Sequence, residues 1–181
     1  MKTKFSASYI LRLALTLFII TGVMAAALAG VNAITKDRIA AIEAEKTQAA
    51  LGKVLPGATD FKTLPLTADA GIVKAVYESA AGYAVLVAPS GFDGEISMMV
   101  GIDPEGKVTG ISIISHTETA GLGAVAAADN EKGNAFRNQF AGVQEAVSVG
   151  KEINAITGAT ITSKAVTAGV NAALEYVQNL G

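Results

Sequence analysis

Cysteine and tryptophan are absent from the 181 residues, and histidine occurs once. Without cysteine the chain cannot form disulfides, use a thiolate nucleophile, or hold zinc or an iron–sulfur cluster through thiolates. The single histidine, His116, excludes a site with two histidine ligands and argues against a Ser-His-Asp hydrolase. We therefore expect no metal site in this chain.

Positive charge is also scarce. The 14 lysines and arginines are outnumbered by 16 acidic residues, so the net charge is −2. Aromatic residues make up 6% of the chain, and none alternates with basic residues. Because nucleic-acid-binding surfaces need clustered positive charge, nucleic acid is not an expected partner.

Charge is missing altogether from one apolar stretch, Leu13 to Thr35. A helix that crosses the hydrocarbon core of a bilayer needs about 20 mostly apolar residues. Lys2, Lys4 and Arg12 precede the stretch, and basic residues favour the cytoplasmic side of a membrane. The sequence therefore predicts a single-pass anchor in membrane lipid, with its N-terminus in the cytoplasm.

Two alternatives for this stretch stay open. A basic start followed by the small residues Ala27 to Gly30 also fits a signal peptide and its cleavage site. A pilin-like anchor is the other alternative, although the early acidic residue of such helices is missing. We expect an anchor that is not cleaved.

The chain is predicted to have three parts. Residues 1–35 form the cytoplasmic start and the transmembrane anchor. Residues 36–71 form a connecting helix, which ends near Gly52 and Pro56-Gly57, and a loop over 62–71. Residues 72–181 form a domain large enough to bury a core of its own.

Short β-rich runs alternate with turns in the first half of this domain. They lie at 72–79, 82–89, 95–103 and 107–115. Asp103 to Gly106 has proline and glycine at the positions of a type I turn, so the last two runs should form a hairpin. One or two short helices around Gly133 and a brief strand near Ala146 to Val149 are expected to follow.

The last segment has the period of an amphipathic helix. Its apolar face consists of Val166, Val170, Ala173, Leu174 and Val177. The predicted fold class is therefore α+β: an N-terminal transmembrane helix, then a small, mainly antiparallel sheet packed with helices.

Four hydroxyls are concentrated at the start of this last helix, in the stretch "ITGATITSK". They belong to Thr157, Thr160, Thr162 and Ser163; Lys164 adds a positive charge, and Gly158-Ala159 leaves the main chain accessible. The free N–H groups and the dipole of a helix start favour an anion, so the stretch fits a phosphate site. It lacks the spacing of a P-loop. The simpler alternative is a helix cap, provided by Thr162 or Ser163.

A second polar cluster, "HTETAGLG", directly follows a predicted strand. It places His116, Glu118 and Thr119 close together, and two glycines flank Leu122. A solvated loop with a structural turn is the alternative interpretation, since such glycines are common in turns.

Both clusters resemble motifs of one family. "TGATITS" resembles the S/T-G-A-T-x-T/S flavinylation motif, in which the threonine that closes G-A-T carries FMN. "HTETAGLG" resembles the H-x-E-T-P-G-L-G stretch of the RnfG subunit of Rnf electron-transport complexes. The NqrC subunit of the sodium-pumping quinone reductase shares the flavin domain in generally longer chains. The resemblance covers nearly the whole chain.

The resemblance implies covalent FMN, joined by a phosphoester bond to Thr160, in the domain over 72–181. Gly158 and Ala159 would allow close approach of the backbone, and Thr157 and Ser163 would lie near the phosphate. The residues near the flavin ring would be Glu118, Thr119, Leu122 and Gly123. His116 and Glu118 are candidates for tuning the flavin.

Two positions depart from the family pattern. Asn154 stands where the flavinylation motif usually has aspartate, which removes a charge from the region that a flavin transferase recognises. Ala120 stands where the second motif usually has proline, which loosens that loop.

By resemblance, the chain is a flavoprotein subunit that relays electrons through FMN within a ferredoxin:NAD oxidoreductase coupled to Na⁺ or H⁺ translocation. No side chain need act as acid or base, because the flavin performs the transfer. The implied partners are the other membrane, iron–sulfur and flavin subunits and a flavin transferase. The implied location is the cell (inner) membrane, with the FMN domain on the periplasmic or extracellular side.

Two other functions remain alternatives. One is an NqrC-like subunit or a stand-alone FMN electron carrier. The other is a non-enzymatic anchored domain that binds an anion or a partner protein.

Overall fold

The computed structural model describes residues 7–66 and 70–180. The predicted cytoplasmic start with Lys2 and Lys4 lies outside the described residues, as does part of the predicted loop over 62–71. The chain divides into two compact units, Met1–Ala44 and Glu45–Gly181.

A single long helix, α1, runs over Ala7–Val54. Its most apolar stretch has a mean hydropathy of 2.2, and none of that stretch is buried within the protein, so α1 is a candidate membrane span. The threonine hydroxyls inside the stretch are satisfied locally: Thr21 Oγ1, for example, donates to the carbonyl of Leu17 at 2.9 Å. Such bonds let a polar side chain sit in an apolar environment. The helix continues beyond the apolar stretch to Val54, over residues where the sequence predicts a connecting helix.

Five antiparallel strands form one sheet in the order of the chain. They are β1 Lys62–Leu64, β2 Val73–Ser79, β3 Gly82–Val87, β4 Ser97–Ile102 and β5 Val108–Ser115. The predicted hairpin between β4 and β5 is confirmed: Gly106 N–H donates to Asp103 at 3.0 Å, and the Asp103 carboxylate accepts the N–H groups of Glu105 and Lys107.

Two details of the predicted strands are wrong. The supposed loop at 62–71 begins with β1, which pairs Leu64 with Val76 at the sheet edge; three residues are too few to show a period. No full strand forms at Ala146–Val149: the Asn171 side chain bonds both the N–H and the carbonyl of Val147, and Val149 makes only an isolated bridge with Ile153.

Helices cover both faces of the sheet. The main core lies between one face and α3 (Thr160–Gln178), where Val166 and Val170 pack with Val85 and Val100. Ala50, Leu51, Val54 and Leu55, at the end of α1, pack on the opposite face against Ala84 and Met99.

The predicted short helices are a 3₁₀ helix, Gly123–Ala127, and α2, Glu131–Asn138. Asn130 caps α2 by accepting the Gly133 N–H at 2.9 Å. Arg137 of α2 donates to the carbonyls of Ala126 and Ala128, which fixes the end of the 3₁₀ helix. The segment after β5 is joined to the first turn of α3 by the hydrogen bond between Thr162 and Glu118. The α+β architecture with its antiparallel sheet is confirmed.

Candidate functional site

The start of α3 presents free backbone donors. Thr160 is the first residue of the helix and is exposed. The first i to i−4 hydrogen bond of the helix runs from the Ser163 N–H to the Ala159 carbonyl, at 3.0 Å. The N–H groups of residues 160–162 come before this bond and have no carbonyl acceptor within the helix. Gly158 has φ +78°, a conformation that favours glycine. These features make the helix start able to bind an anion.

The hydroxyls of Thr162 and Ser163 do not cap this helix. The N-cap is Ala159, whose side chain makes no cap bond. Ser163 is fully buried; its Oγ donates to Ala159 at 2.9 Å and accepts the Ile156 N–H at 3.0 Å. Thr162 Oγ1 donates to Glu118 Oε2. The capping expectation is therefore wrong: the two hydroxyls fasten loops onto α3 instead.

A cavity of about 320 Å³ opens beside the helix start. It brings together both sequence clusters and one further loop. Its lining consists of Phe92, Glu118, Thr119, Leu122, Gly123, Gly158, Ala159, Thr160, Ile161 and Thr162. Small-molecule sites have volumes from about 300 Å³ upward and mostly apolar walls with a few polar groups, as here.

Glu118 is the buried charged group of the cavity, at 7% exposure. Its Oε1 accepts the N–H groups of Phe92 at 2.8 Å and Asp93 at 3.2 Å, while Oε2 accepts the Thr162 hydroxyl. Burial by itself raises the pKa of the carboxyl, but the Thr162 hydroxyl and the two N–H groups outweigh burial and leave the pKa below its ordinary value. The side chain is therefore an ionised carboxylate that ties three chain segments together.

Packing requires glycine at position 123, and the positive φ of residue 158 favours glycine there. A Cβ on Gly123 would lie 2.5 Å from Thr162 Oγ1 and still closer to Glu118 Oε2. A Cβ on Gly158 would lie 3.1 Å from Leu122 Cδ2. The absence of side chains here brings the "HTETAGLG" loop against the helix start and leaves room for a ligand.

Not every predicted site residue lines this cavity. Thr157 and Asn154 line a neighbouring hollow, where Asn154 exchanges two backbone bonds with the side chain of Gln139. Lys164 is exposed on α3 and lines neither this cavity nor the neighbouring hollow. His116 lies outside the cavity lining too; its Nδ1 has no hydrogen-bond partner in the described part of the chain.

Phe92 and Ile161 line the cavity, yet sequence reasoning missed both. Ile161 stands inside the motif, between two hydroxyl residues, but nothing in its local pattern marks a ligand contact. Phe92 lies in the β3–β4 loop, 26 residues before Glu118, and only the fold brings the two together.

Comparison with known proteins assigns the chain to a family. Residues 91–175 match the FMN-binding domain, and residues 1–54 match the RnfG N-terminal region. The G subunit of the Na⁺-translocating ferredoxin:NAD⁺ oxidoreductase complex of Acetobacterium woodii is 38% identical, over 94% of this chain and 93% of that relative. The chain belongs to the RnfG family.

Two other G subunits of such complexes are also similar in sequence to this chain. The G subunit of the ion-translocating oxidoreductase complex of Methanosarcina acetivorans is 30% identical over 93% of this chain and 94% of its own. The corresponding protein of the proton-translocating ferredoxin:NAD⁺ oxidoreductase complex of Clostridium ljungdahlii is 47% identical over 52% of each chain.

FMN is the cofactor of this RnfG-family domain, and the cavity fits it. The free N–H groups at the start of α3 suit a phosphate, and Gly158 has no side chain to obstruct close approach. Leu122, Ile161 and Phe92 provide an apolar wall of the kind that a flavin ring needs.

Proposed function

We propose that this chain is the membrane-anchored flavoprotein subunit of an ion-translocating ferredoxin:NAD⁺ oxidoreductase complex, and that its FMN is esterified to Thr160. The relatives described above are the G subunits of ion-translocating oxidoreductase complexes, and the similarity extends over nearly the whole chain. The observation that carries the proposal is the position of Thr160. This exposed hydroxyl residue stands at a helix start and lines the cavity, inside the match to the FMN-binding domain.

Within this proposal, the phosphate lies at the first turn of α3. A phosphodiester on Thr160 carries one negative charge, which the N–H groups and the helix dipole stabilise. Thr157 and Lys164 are exposed nearby in sequence and can add a hydrogen bond and a positive charge. Thr162 and Ser163 act by holding the loops, since their hydroxyls are already engaged within the protein.

The flavin ring then lies against the "HTETAGLG" loop. When bound, FMN supplies the oxidation–reduction chemistry of the subunit. The residues of this chain hold it: Leu122 excludes water, Thr119 and the main chain around Gly123 offer polar contacts, and the Glu118 carboxylate adds a negative field. No side chain needs to move a proton. We keep His116 as a candidate for tuning the flavin through its interaction with Glu118.

The remaining parts of the activity belong to partner subunits. The chain has no cysteine for an iron–sulfur cluster, and α1 is the one candidate span among the described residues. Other membrane, iron–sulfur and flavin subunits would therefore supply the further redox centres and the ion path. A flavin transferase would attach FMN, and Asn154 in place of the usual aspartate is the position most relevant to its efficiency.

We also propose a topology. Residues 1–35 comprise the cytoplasmic start and the anchor, residues 36–71 connect, and residues 72–181 carry FMN on the periplasmic or extracellular side of the cell membrane. The basic residues before the apolar stretch support this direction. A covalent bond is useful there because a cofactor lost on that side could not be recovered from the cytoplasm.

The test is the intact mass of the full chain, produced with a flavin transferase, beside two variants. The parent should carry the mass of one FMN less one water, and Thr160→Ala should lack it. Thr59→Ala, which removes an exposed hydroxyl far outside the motif, should retain it. A parent without added mass would contradict covalent attachment and favour an anion- or partner-binding domain instead.

A further inference from the structure

Exposed apolar side chains are concentrated at the cavity. Outside α1, the described residues include five large apolar side chains that are strongly exposed, and three of them line the cavity: Phe92 at 66%, Ile161 at 53% and Leu122 at 45%. Single exposed apolar residues are ordinary, but several around one concavity mark a binding site. Phe92 is the most exposed of the three and the only aromatic residue in the lining.

The backbone of Phe92 is fixed although its ring is uncovered. Gly91 N–H donates to Gly94 at 2.7 Å, which closes a tight turn between β3 and β4. Phe92 N–H donates to Glu118 Oε1 at 2.8 Å, and Thr117 Oγ1 donates to the Asp93 carbonyl at 2.7 Å. The turn is thus attached to the chain beyond β5 at two points.

The turn also lies so close to Glu118 that only glycine fits at position 91. A Cβ on Gly91 would approach Glu118 Oε1 well inside van der Waals contact and would lie 2.8 Å from Ile96 Cδ1. A buried carboxylate that satisfies two consecutive N–H groups positions the turn more firmly than a neutral acceptor would. This attachment holds the Phe92 ring at the cavity that also includes Thr160.

We propose that Phe92 is the aromatic wall of the flavin-ring site and that Glu118 is the positioning residue that holds it there. This inference rests on the proposed function, because the ring it serves is that of FMN attached at the start of α3. An aromatic wall suits a flat heteroaromatic ring through offset or edge packing, which an aliphatic side chain cannot match.

The first experiment measures binding of the ring alone. Riboflavin has the flavin ring system and no phosphate, so its binding to the full-length Thr160→Ala chain in detergent reports the ring site. Adding Phe92→Ala should raise the riboflavin dissociation constant about tenfold, through lost aromatic contact and apolar area. Phe92→Tyr should retain affinity. Leu66→Ala, which removes an exposed apolar side chain away from the cavity, is the matched control and should change nothing.

The positioning role has its own variant. Gly91→Ala keeps the phenyl ring but displaces the turn from Glu118, so it should weaken riboflavin binding nearly as much as Phe92→Ala. Circular dichroism and thermal unfolding establish that each variant is folded. A folded Gly91→Ala chain with normal affinity would overturn the positioning part of the inference.

The second experiment uses the chain that carries FMN. Iodide quenching of flavin fluorescence reports how far solvent reaches the ring, and Phe92→Ala should raise the quenching constant while Leu66→Ala leaves it unchanged.

If Phe92→Ala alters neither riboflavin affinity nor iodide quenching, the inference is wrong even when FMN is present on Thr160. If both quantities are unchanged but Phe92→Ala slows electron transfer in the assembled complex, Phe92 contacts a partner protein and not the flavin. A parent that takes up no FMN would count against the proposed function, not against the ring site, which riboflavin tests separately.

Discussion

At the scale of single residues, Glu118 connects the chain segments that form the site. Its carboxylate is buried, ionised, and bonded to the β3–β4 turn and to Thr162 of α3. A buried charge is tolerated only when donors replace the lost water, and here three donors do so. The geometry of the cavity therefore depends on one side chain from the sequence cluster that follows β5.

Replacing this carboxylate should destabilise the protein measurably. Glu118→Gln keeps the size but removes the charge, and a hydrogen bond to a charged group contributes about 1.5–3 kcal/mol. We expect the free energy of unfolding to fall by about 2 kcal/mol in denaturant titrations of the full chain. Thr162→Val and the double variant complete a double-mutant cycle. We expect a coupling energy of about 1 kcal/mol between the side chains of Glu118 and Thr162. Strict additivity would show that the two side chains act independently.

The same carboxylate predicts a pH dependence. The folded pKa of Glu118 lies below the ordinary value of 4.5, so its contribution to stability is complete above that value and is lost as pH falls through the folded pKa. The parent should therefore lose stability as the pH falls below about 4.5, and Glu118→Gln should lose less. Equal losses in the two chains would assign the acid sensitivity to other carboxyl groups.

At the scale of elements, the end of α1 is bonded to the face of the sheet opposite α3. Thr109 Oγ1 of β5 donates to the Val54 carbonyl at the last turn of the helix. Gly101 of β4 lies directly beneath, where a Cβ would fall 2.5 Å from the Val54 oxygen and 2.8 Å from Val54 Cβ. The close approach of helix and sheet therefore requires glycine at this position.

Gly101 and Gly110 form a matched pair for testing this contact, since they face each other across β4 and β5. Gly101→Ala should cost about 1–3 kcal/mol of stability by overpacking, and amide hydrogen exchange over residues 50–55 should become faster. A Cβ at Gly110 meets nothing within 4 Å. Gly110→Ala should thus stay within about 0.5 kcal/mol of the parent. Similar effects of both substitutions would mean that the helix end does not press on the sheet.

At the scale of the whole molecule, the chain combines an apolar helical unit with a compact flavin domain. The first unit, Met1–Ala44, contains the uncharged stretch, and the second, Glu45–Gly181, contains the sheet, α2, α3 and the cavity. The apolar stretch of α1 has no buried part within the protein, so a bilayer is the environment that would cover it.

Removing the first unit should therefore release the protein from membranes. The full chain should remain in the membrane fraction after an alkaline carbonate wash, whereas a chain that begins at Glu45 should appear in the soluble fraction. The mass at the N-terminus of the full chain reports whether the apolar stretch is retained. A cleaved N-terminus would favour the signal-peptide alternative, and a washed-off full chain would contradict the anchor.

The sequence by itself determined the elements that local chemistry encodes. An uncharged stretch predicts a span, alternating β-rich residues predict β2 to β5, and the 3.6-residue period predicts α3, because each signal depends on neighbouring residues alone. The two motifs indicated both walls of the cavity through resemblance. Tertiary structure decided what depends on distant contacts: the edge strand β1, the bond between Thr162 and Glu118 across 44 positions, and the arrival of Phe92 at the site. These contacts form only when the sheet brings separate loops together, so no local pattern of residues could have encoded them.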